Sequence, residues 1–161
     1  MQERIEQIKN IVENWMQSDF HSPATDSEIS EFEEKMKVKI PESYKEFLRC
    51  SNGAELFGGD ALLFSVNIDD EYKINYDFSE GKVPKELLII GFYNSCHICY
   101  DARYGSFFFY EYEDYDSIKE ECLEFSDFYE VLDYIIDIAI NWSYFILICL
   151  IKKTDDNAPE R

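Results

Sequence analysis

The sequence predicts a single α+β domain in which N-terminal helices and a C-terminal helix pack on one side of a largely antiparallel, curved β-sheet. Three observations carry this. Residues 25–53 read as two capped, amphipathic helices, residues 61–116 break into short apolar segments rich in branched and aromatic side chains, and a helical pattern returns at 125–151. A chain of 161 residues is one domain's worth, with hydrophobic residues at 46% and aromatics at 17%, so it can bury a packed core without disulfides or metals.

The first helix is expected within residues 1–19, where Ile5, Ile8, Val12 and Trp15 fall on one face between charged residues. That pattern lacks the apolar h-region of a signal peptide, and it places the protein in the cytoplasm. Thr25 and Glu28 hold the T-x-x-E spacing of a capping box, in which each side chain satisfies a free amide at a helix start. Ile29, Phe32 and Met36 continue that helix as an apolar stripe. Pro41 suits the first turn of a second helix, whose buried face is Tyr44, Phe47 and Leu48. Asn52 and Gly53 tolerate the left-handed backbone that closes a helix, so Ser51-Asn52-Gly53 reads as a stop. Leu56-Phe57-Gly58-Gly59 reads as a tight turn into the first strand.

Strands are expected at Ala61 to Ile68, Leu87 to Phe92, Cys96 to Asp101 and Ser106 to Tyr112, the last two joined by a hairpin turn at 102–105. Residues 69–85 are polar, contain Gly81 and Pro84, and read as a long surface connection. A last helix begins near Phe125-Ser126-Asp127-Phe128. The run 134–151 is very apolar, but Asp137 interrupts it and leaves residues 138–151 uncharged, short of the ~20 needed to span a bilayer. It reads as core helix or strand with apolar surplus for contact with a second copy, the alternative being a tail anchor; the protein is expected as a monomer or homodimer. Residues 152–161 form a polar tail.

Fifteen basic residues against 34 acidic give a net charge of −19, which repels nucleic acid and anionic membranes and favours basic partners. Five cysteines without framework spacing indicate reduced thiols. Cys96-His97-Ile98-Cys99 does not suit zinc, because on a strand Cys96 and Cys99 point to opposite faces and no second pair follows; a buried thiol beside a half-exposed histidine is expected, with no metal and no cofactor. No serine elbow, Walker loop, dinucleotide fingerprint or H-E-x-x-H is present, so no catalytic residue is assigned and no enzyme is expected.

The order E-I-x-x-F-E, I-P-E-S-Y-K-E-F-L, S-N-G and L-F-G across Thr25 to Gly59, followed by a strand ending Ile90-Gly91 and a tyrosine-rich hairpin, resembles the SUKH superfamily of bacterial toxin-immunity proteins and fungal regulators of cell-wall assembly. The signature residues are Thr25, Glu28, Phe32, Pro41, Tyr44, Phe47, Leu48, Asn52 and Gly53. This resemblance implies a non-catalytic protein that binds and neutralises a cognate toxin, often a nuclease, through an exposed sheet face. The alternatives are a regulatory interaction module of the fungal type and a small-ligand-binding protein. The acidic, aromatic run from Tyr110 to Asp116 is the expected contact surface, since tyrosine gives area at low entropic cost and carboxylates accept arginine bidentately. Candidate contact residues are Tyr110, Glu111, Tyr112, Glu113 and Asp114, with Asp101 and Tyr104 at the neighbouring turn.

Overall fold

The computed structural model describes residues 1–11, 17–67, 69, 72–74, 87–111 and 123–141. Among them, four helices accompany a seven-stranded sheet whose spatial order is the chain order. The elements are α1 (Gln2–Asn10), β1 (Asp19–Phe20), α2 (Asp26–Met36), α3 (Glu42–Leu48), β2 (Ala54–Leu56), a single 3-10 turn (Phe57–Gly59), β3 (Ala61–Leu63), β4 (Leu87–Tyr93), β5 (Cys96–Asp101), β6 (Ser106–Glu111), β7 (Glu124–Phe125) and the helix α4 at 128–141. All six strand pairings are antiparallel. The α+β architecture expected from the sequence is therefore present.

The capping box forms as its spacing requires. Thr25 Oγ1 accepts the Glu28 amide at 3.2 Å, and the Glu28 carboxylate accepts the Thr25 amide at 2.7 Å. Pro41 sits one place earlier than expected, at the N-cap of α3, where its carbonyl accepts the amides of Tyr44 and Lys45. The stop also works differently. Helix α3 ends at Leu48, and only Gly53 takes the left-handed backbone; Asn52 contributes through its side chain, which accepts the Val66 amide at 2.9 Å. Phe125, expected to open the last helix, belongs to β7, and Asp127 caps α4 by accepting the Glu130 amide.

The α2–α3 connection is fixed by one buried carboxylate. Glu33 accepts the Ile40 amide at 2.7 Å and pairs with Lys45 at 2.9 Å and Lys39 at 3.4 Å. Burial alone would push this carboxyl up, yet the hydrogen bonds from Lys45 and Ile40 and the two lysine charges outweigh it and hold the group below its ordinary value.

The core centres on Tyr44, Phe47, Phe107 and Phe128, all almost wholly buried: Tyr44 stacks on Phe47, and Phe128 meets both edge to face and Phe107 at a tilt. Tyr44 reaches from α3 into the sheet, its hydroxyl lying 2.7 Å from the Phe64 carbonyl and 2.9 Å from the Ile90 carbonyl. Ile90 lies at a register irregularity between Ile89 and Gly91, so the tyrosine ties α3 to the bent part of β4. On the same face Tyr134 of α4 packs on Phe109 and Phe125, and Lys9 of α1 lies over Phe20. Arg4 joins α1 to α4 through a bidentate pair with Asp133 at 2.5 and 2.6 Å. These contacts put α1, α3 and α4 on one side of the sheet.

The opposite face is not exposed at the centre of the sheet. Leu87, Ile89, His97, Cys99, Phe108 and Tyr110 share that face by register, and all are buried. The expectation of an open sheet face for a partner is corrected here, and the cause is legible: Leu87–Tyr93 is a continuous apolar run, the pattern of a strand covered on both sides.

Candidate binding surface

The predicted contact residues do not form one site. Tyr110 is only 2% exposed and stacks on His97 at 5.9 Å between centroids, so it is a core residue and not a surface anchor. Its parity on β6 decides this, since Tyr110 pairs with His97 and faces the covered side. Glu111 ends β6 opposite Cys96. Tyr112, Glu113 and Asp114 lie outside the described residues, as do Val12 and Trp15.

Asp101 and Tyr104 sit at the other end of the hairpin. Because β6 runs six residues from Ser106 to Glu111, they stand about 17 Å from Glu111 at the usual strand rise. Asp101 is buried and organises the turn: its carboxylate accepts the Arg103 amide at 2.9 Å and takes the Arg103 guanidinium bidentately at 2.6 and 2.9 Å. The guanidinium lies 5.4 Å from the Tyr104 ring, which is 67% exposed. Tyr104 is therefore presented to solvent by a pinned loop, as a contact residue needs, whereas Asp101 positions it.

The histidine of Cys96-His97-Ile98-Cys99 is buried and not half-exposed, set edge-on to Phe92 at 5.7 Å and stacked on Tyr110. Burial pulls its imidazole below the usual value, which keeps it neutral near pH 7. Cys96 pairs with Tyr93 and Glu111 on the helix side, while Cys99 pairs with Ile89 and Phe108 on the other. The two thiols thus diverge as strand geometry requires. Among the described residues no three His, Cys, Asp or Glu side chains converge on a common point that would hold a metal.

One surface escaped the sequence. The register places Asp19, Glu55, Leu62, Phe92, His97 and Tyr110 in a single row across six strands on the face away from the helices. Burial grades along it: Asp19 and Glu55 are exposed, Leu62 and Phe92 half-buried, His97 and Tyr110 buried. Asp60, also exposed, follows the 3-10 turn between β2 and β3. Among the described residues, Arg4, Lys9, Lys39, Lys45 and Arg49 form ion pairs among the helices and Arg103 one in its turn, and none of these pairs involves Asp19, Glu55 or Asp60. Two-residue β1 and three-residue β2 are too short to show a period, and their pairing joins residues 34 or more apart, so no local signal announces the row.

Residues 23–131 match the SMI1/KNR4 family (SUKH-1). The match takes in α2, α3, all strands from β2 to β7 and the start of α4. The chain belongs to this family. The SUKH-1 assignment agrees with the capping box, the Pro41–Leu48 helix and the Ile90-Gly91 strand, each of which is structural. A relative from Bacillus subtilis (strain 168), "Uncharacterized protein YnaB", is 40% identical over 85 residues, covering 53% of this chain and 51% of the relative. The chain thus spans about half the length of the curated relative it matches. Among the described residues no helix is long and apolar enough to cross a membrane; of the apolar run 138–151, residues 138–141 continue α4 and the remainder lies outside the described residues.

Proposed function

We propose that this SUKH-1 protein is a non-catalytic binder of the immunity type, which neutralises a cognate toxin by occupying a basic surface on it. Family membership over residues 23–131 is the observation that carries the reading. The net charge of −19, with exposed carboxylates at the β1–β2 side of the sheet, supports a basic partner, since such a field speeds encounter and selects against acidic competitors. A nuclease is a natural partner chemistry because its nucleic-acid groove must be basic.

The test is co-expression with the toxin domain encoded beside the gene. A complex that survives gel filtration, together with cells that live only when both chains are made, supports the proposal. Several cellular partners and no protection from any neighbouring toxin would instead make the protein a regulatory interaction module. Turnover of a small substrate by the purified chain would overturn the non-catalytic reading.

A further inference from the structure

We infer that α1 is a strap that opens and closes on a domain able to hold together without it, with Arg4 as its latch and a strip of α4 beneath it.

Helix α1 has little hold of its own. It runs for nine residues, Gln2–Asn10, short of the about 12–15 that an isolated helix needs in water, and Met1 at its N-cap gives no side-chain hydrogen bond. Its helical state therefore depends on docking, and loss of docking melts it as one unit. Among the described residues no main-chain hydrogen bond joins it to another element. Side chains hold it instead. Ile5 and Ile8 are buried, Met1 and Ile11 partly so, and Arg4 reaches Asp133 of α4 through two hydrogen bonds at 2.6 and 2.5 Å. Lys9 adds a looser contact, 5.4 Å from the centroid of the Phe20 ring.

The rest of the domain is tied together without α1. Arg49 at the end of α3 reaches Asp26 of α2 at 2.8 Å, and Glu33 of α2 holds Lys45 of α3 at 2.9 Å. Ser43 of α3 accepts the Phe128 amide at the start of α4 at 3.1 Å, and the Tyr129 hydroxyl of α4 donates to Glu46 of α3. Tyr44 pins α3 to the sheet. The family match likewise begins at residue 23, beyond α1 and β1.

The latch is placed to be released. Its Arg4 side chain is 28% exposed and its Asp133 side chain 48%, whereas the Glu33–Lys45 pair that joins α2 to α3 is 7% and 18% exposed. Salt therefore screens the Arg4 pair far more than the Glu33 pair. Tyr129 stands one turn before Asp133 on α4, and its ring lies 4.9 Å from the Arg4 guanidinium. One arginine thus covers both a carboxylate and a ring. Opening of α1 uncovers that strip of α4, together with the apolar surface that Ile5 and Ile8 leave behind, and closure hides it again.

The test is amide hydrogen exchange, followed by NMR on the isotope-labelled full-length protein in low concentrations of urea. The Ile5 and Ile8 amides should exchange about tenfold or more faster than those of Ile90 and Cys99, because they need only a local opening. Their rates should also depend weakly on urea, since the slope reports the surface exposed and a nine-residue strap exposes little. In Arg4→Gln the α1 amides should quicken about tenfold or more, from loss of a charge-assisted bidentate pair. Asp133→Asn should match it, and the double variant should be no faster than either single one, because one interaction is removed once. Raising sodium chloride from about 0.01 M to about 1 M shortens the screening length from about 30 to about 3 Å, and should speed α1 exchange in the parent much more than in Arg4→Gln. Lys9→Gln removes the other base of α1 and should leave the rates near those of the parent. Exchange of α1 at the rate and urea slope of the Ile90 and Cys99 amides would make the helix part of the global fold and overturn the strap. Equal quickening by Arg4→Gln and Lys9→Gln, or none by either, would overturn Arg4 as the latch.

Discussion

Replacing Gly91 by alanine should be among the most damaging single-methyl changes this fold can receive. A Cβ at Gly91 would stand 2.5 Å from the Leu62 carbonyl oxygen, with side-chain carbons of Ile98 and Leu63 at 3.3 Å. Interstrand C···O contacts run at about 3.3–3.6 Å, so β3 would have to withdraw from β4 by roughly 0.8 Å or more. The obstructing atom is backbone and cannot rotate away. Overpacking costs about 1–3 kcal/mol, and each β3–β4 hydrogen bond stretched in the process adds about 1 kcal/mol, which gives about 3 kcal/mol or more. Gly105→Ala supplies the comparison. There the nearest atom to a new Cβ is the Tyr100 hydroxyl at 4.0 Å, so only the backbone angle, φ +72°, resists. A left-handed residue costs about 1–2 kcal/mol, partly offset by the stiffer unfolded chain. Urea unfolding of both variants, with slopes matching the parent, measures the two costs directly. A Gly91→Ala midpoint equal to or above that of Gly105→Ala would refute the close approach of β3 and β4 and with it the register that builds the exposed row.

Tyr44→Phe should lower stability by about 1–3 kcal/mol, because a fully buried hydroxyl that serves the Phe64 and Ile90 carbonyls is removed without a volume change; calorimetry checks it. Glu33 gives acid sensitivity: its folded pKa is depressed below the ordinary ~4.3, so its contribution is fully present above that value and is lost as pH falls through the lower folded one. In Glu33→Gln the unfolding free energy should be smaller near neutral pH and should lose that part of its decline below about pH 4, measured by denaturation across pH. Ser95→Gly should stabilise by about 0.5–1 kcal/mol, since Asn94 and Ser95 both hold positive φ in the two-residue β4–β5 turn and Asn-Gly suits that turn best; an unchanged midpoint would argue against the turn geometry.

What the sequence made legible was local. The capping box at Thr25 and Glu28, the stripe through Ile29 and Phe32 and the buried Tyr44, Phe47 and Leu48 all depend on spacings of three or four residues, and all are present. Strands β4 to β6 were legible from composition. β1, β2 and β7, at two or three residues each, have no period to detect. The candidate site fared less well because contact surfaces depend on register. Tyr110 and its acidic neighbours look like surface chemistry in one dimension, but alternation sends Tyr110 to the covered face. That Asp101 and Tyr104 lie far from Glu111 was implied by the hairpin itself, whose turn at 102–105 must be the end most distant from residue 111. The pairing of Asp19 with Glu55 follows only once two helices have returned the chain, so nothing local encodes it.

The bidentate pair between Arg4 and Asp133 closes the molecule across 129 positions of sequence. Since each strand lies beside its predecessor in the chain, the sheet can be laid down in the order in which it is translated. The first helix cannot. Asp133 follows Arg4 by 129 positions, so at 5–20 residues per second the arginine waits roughly 6–26 seconds for that partner. A nascent chain stalled between residues 125 and 133 holds the sequence of all seven strands but not the acid that pairs with Arg4. Completion of α4 is thus the event that commits the chain, and shortening the protein from its C-terminal side into α4 should release the helix at its opposite end.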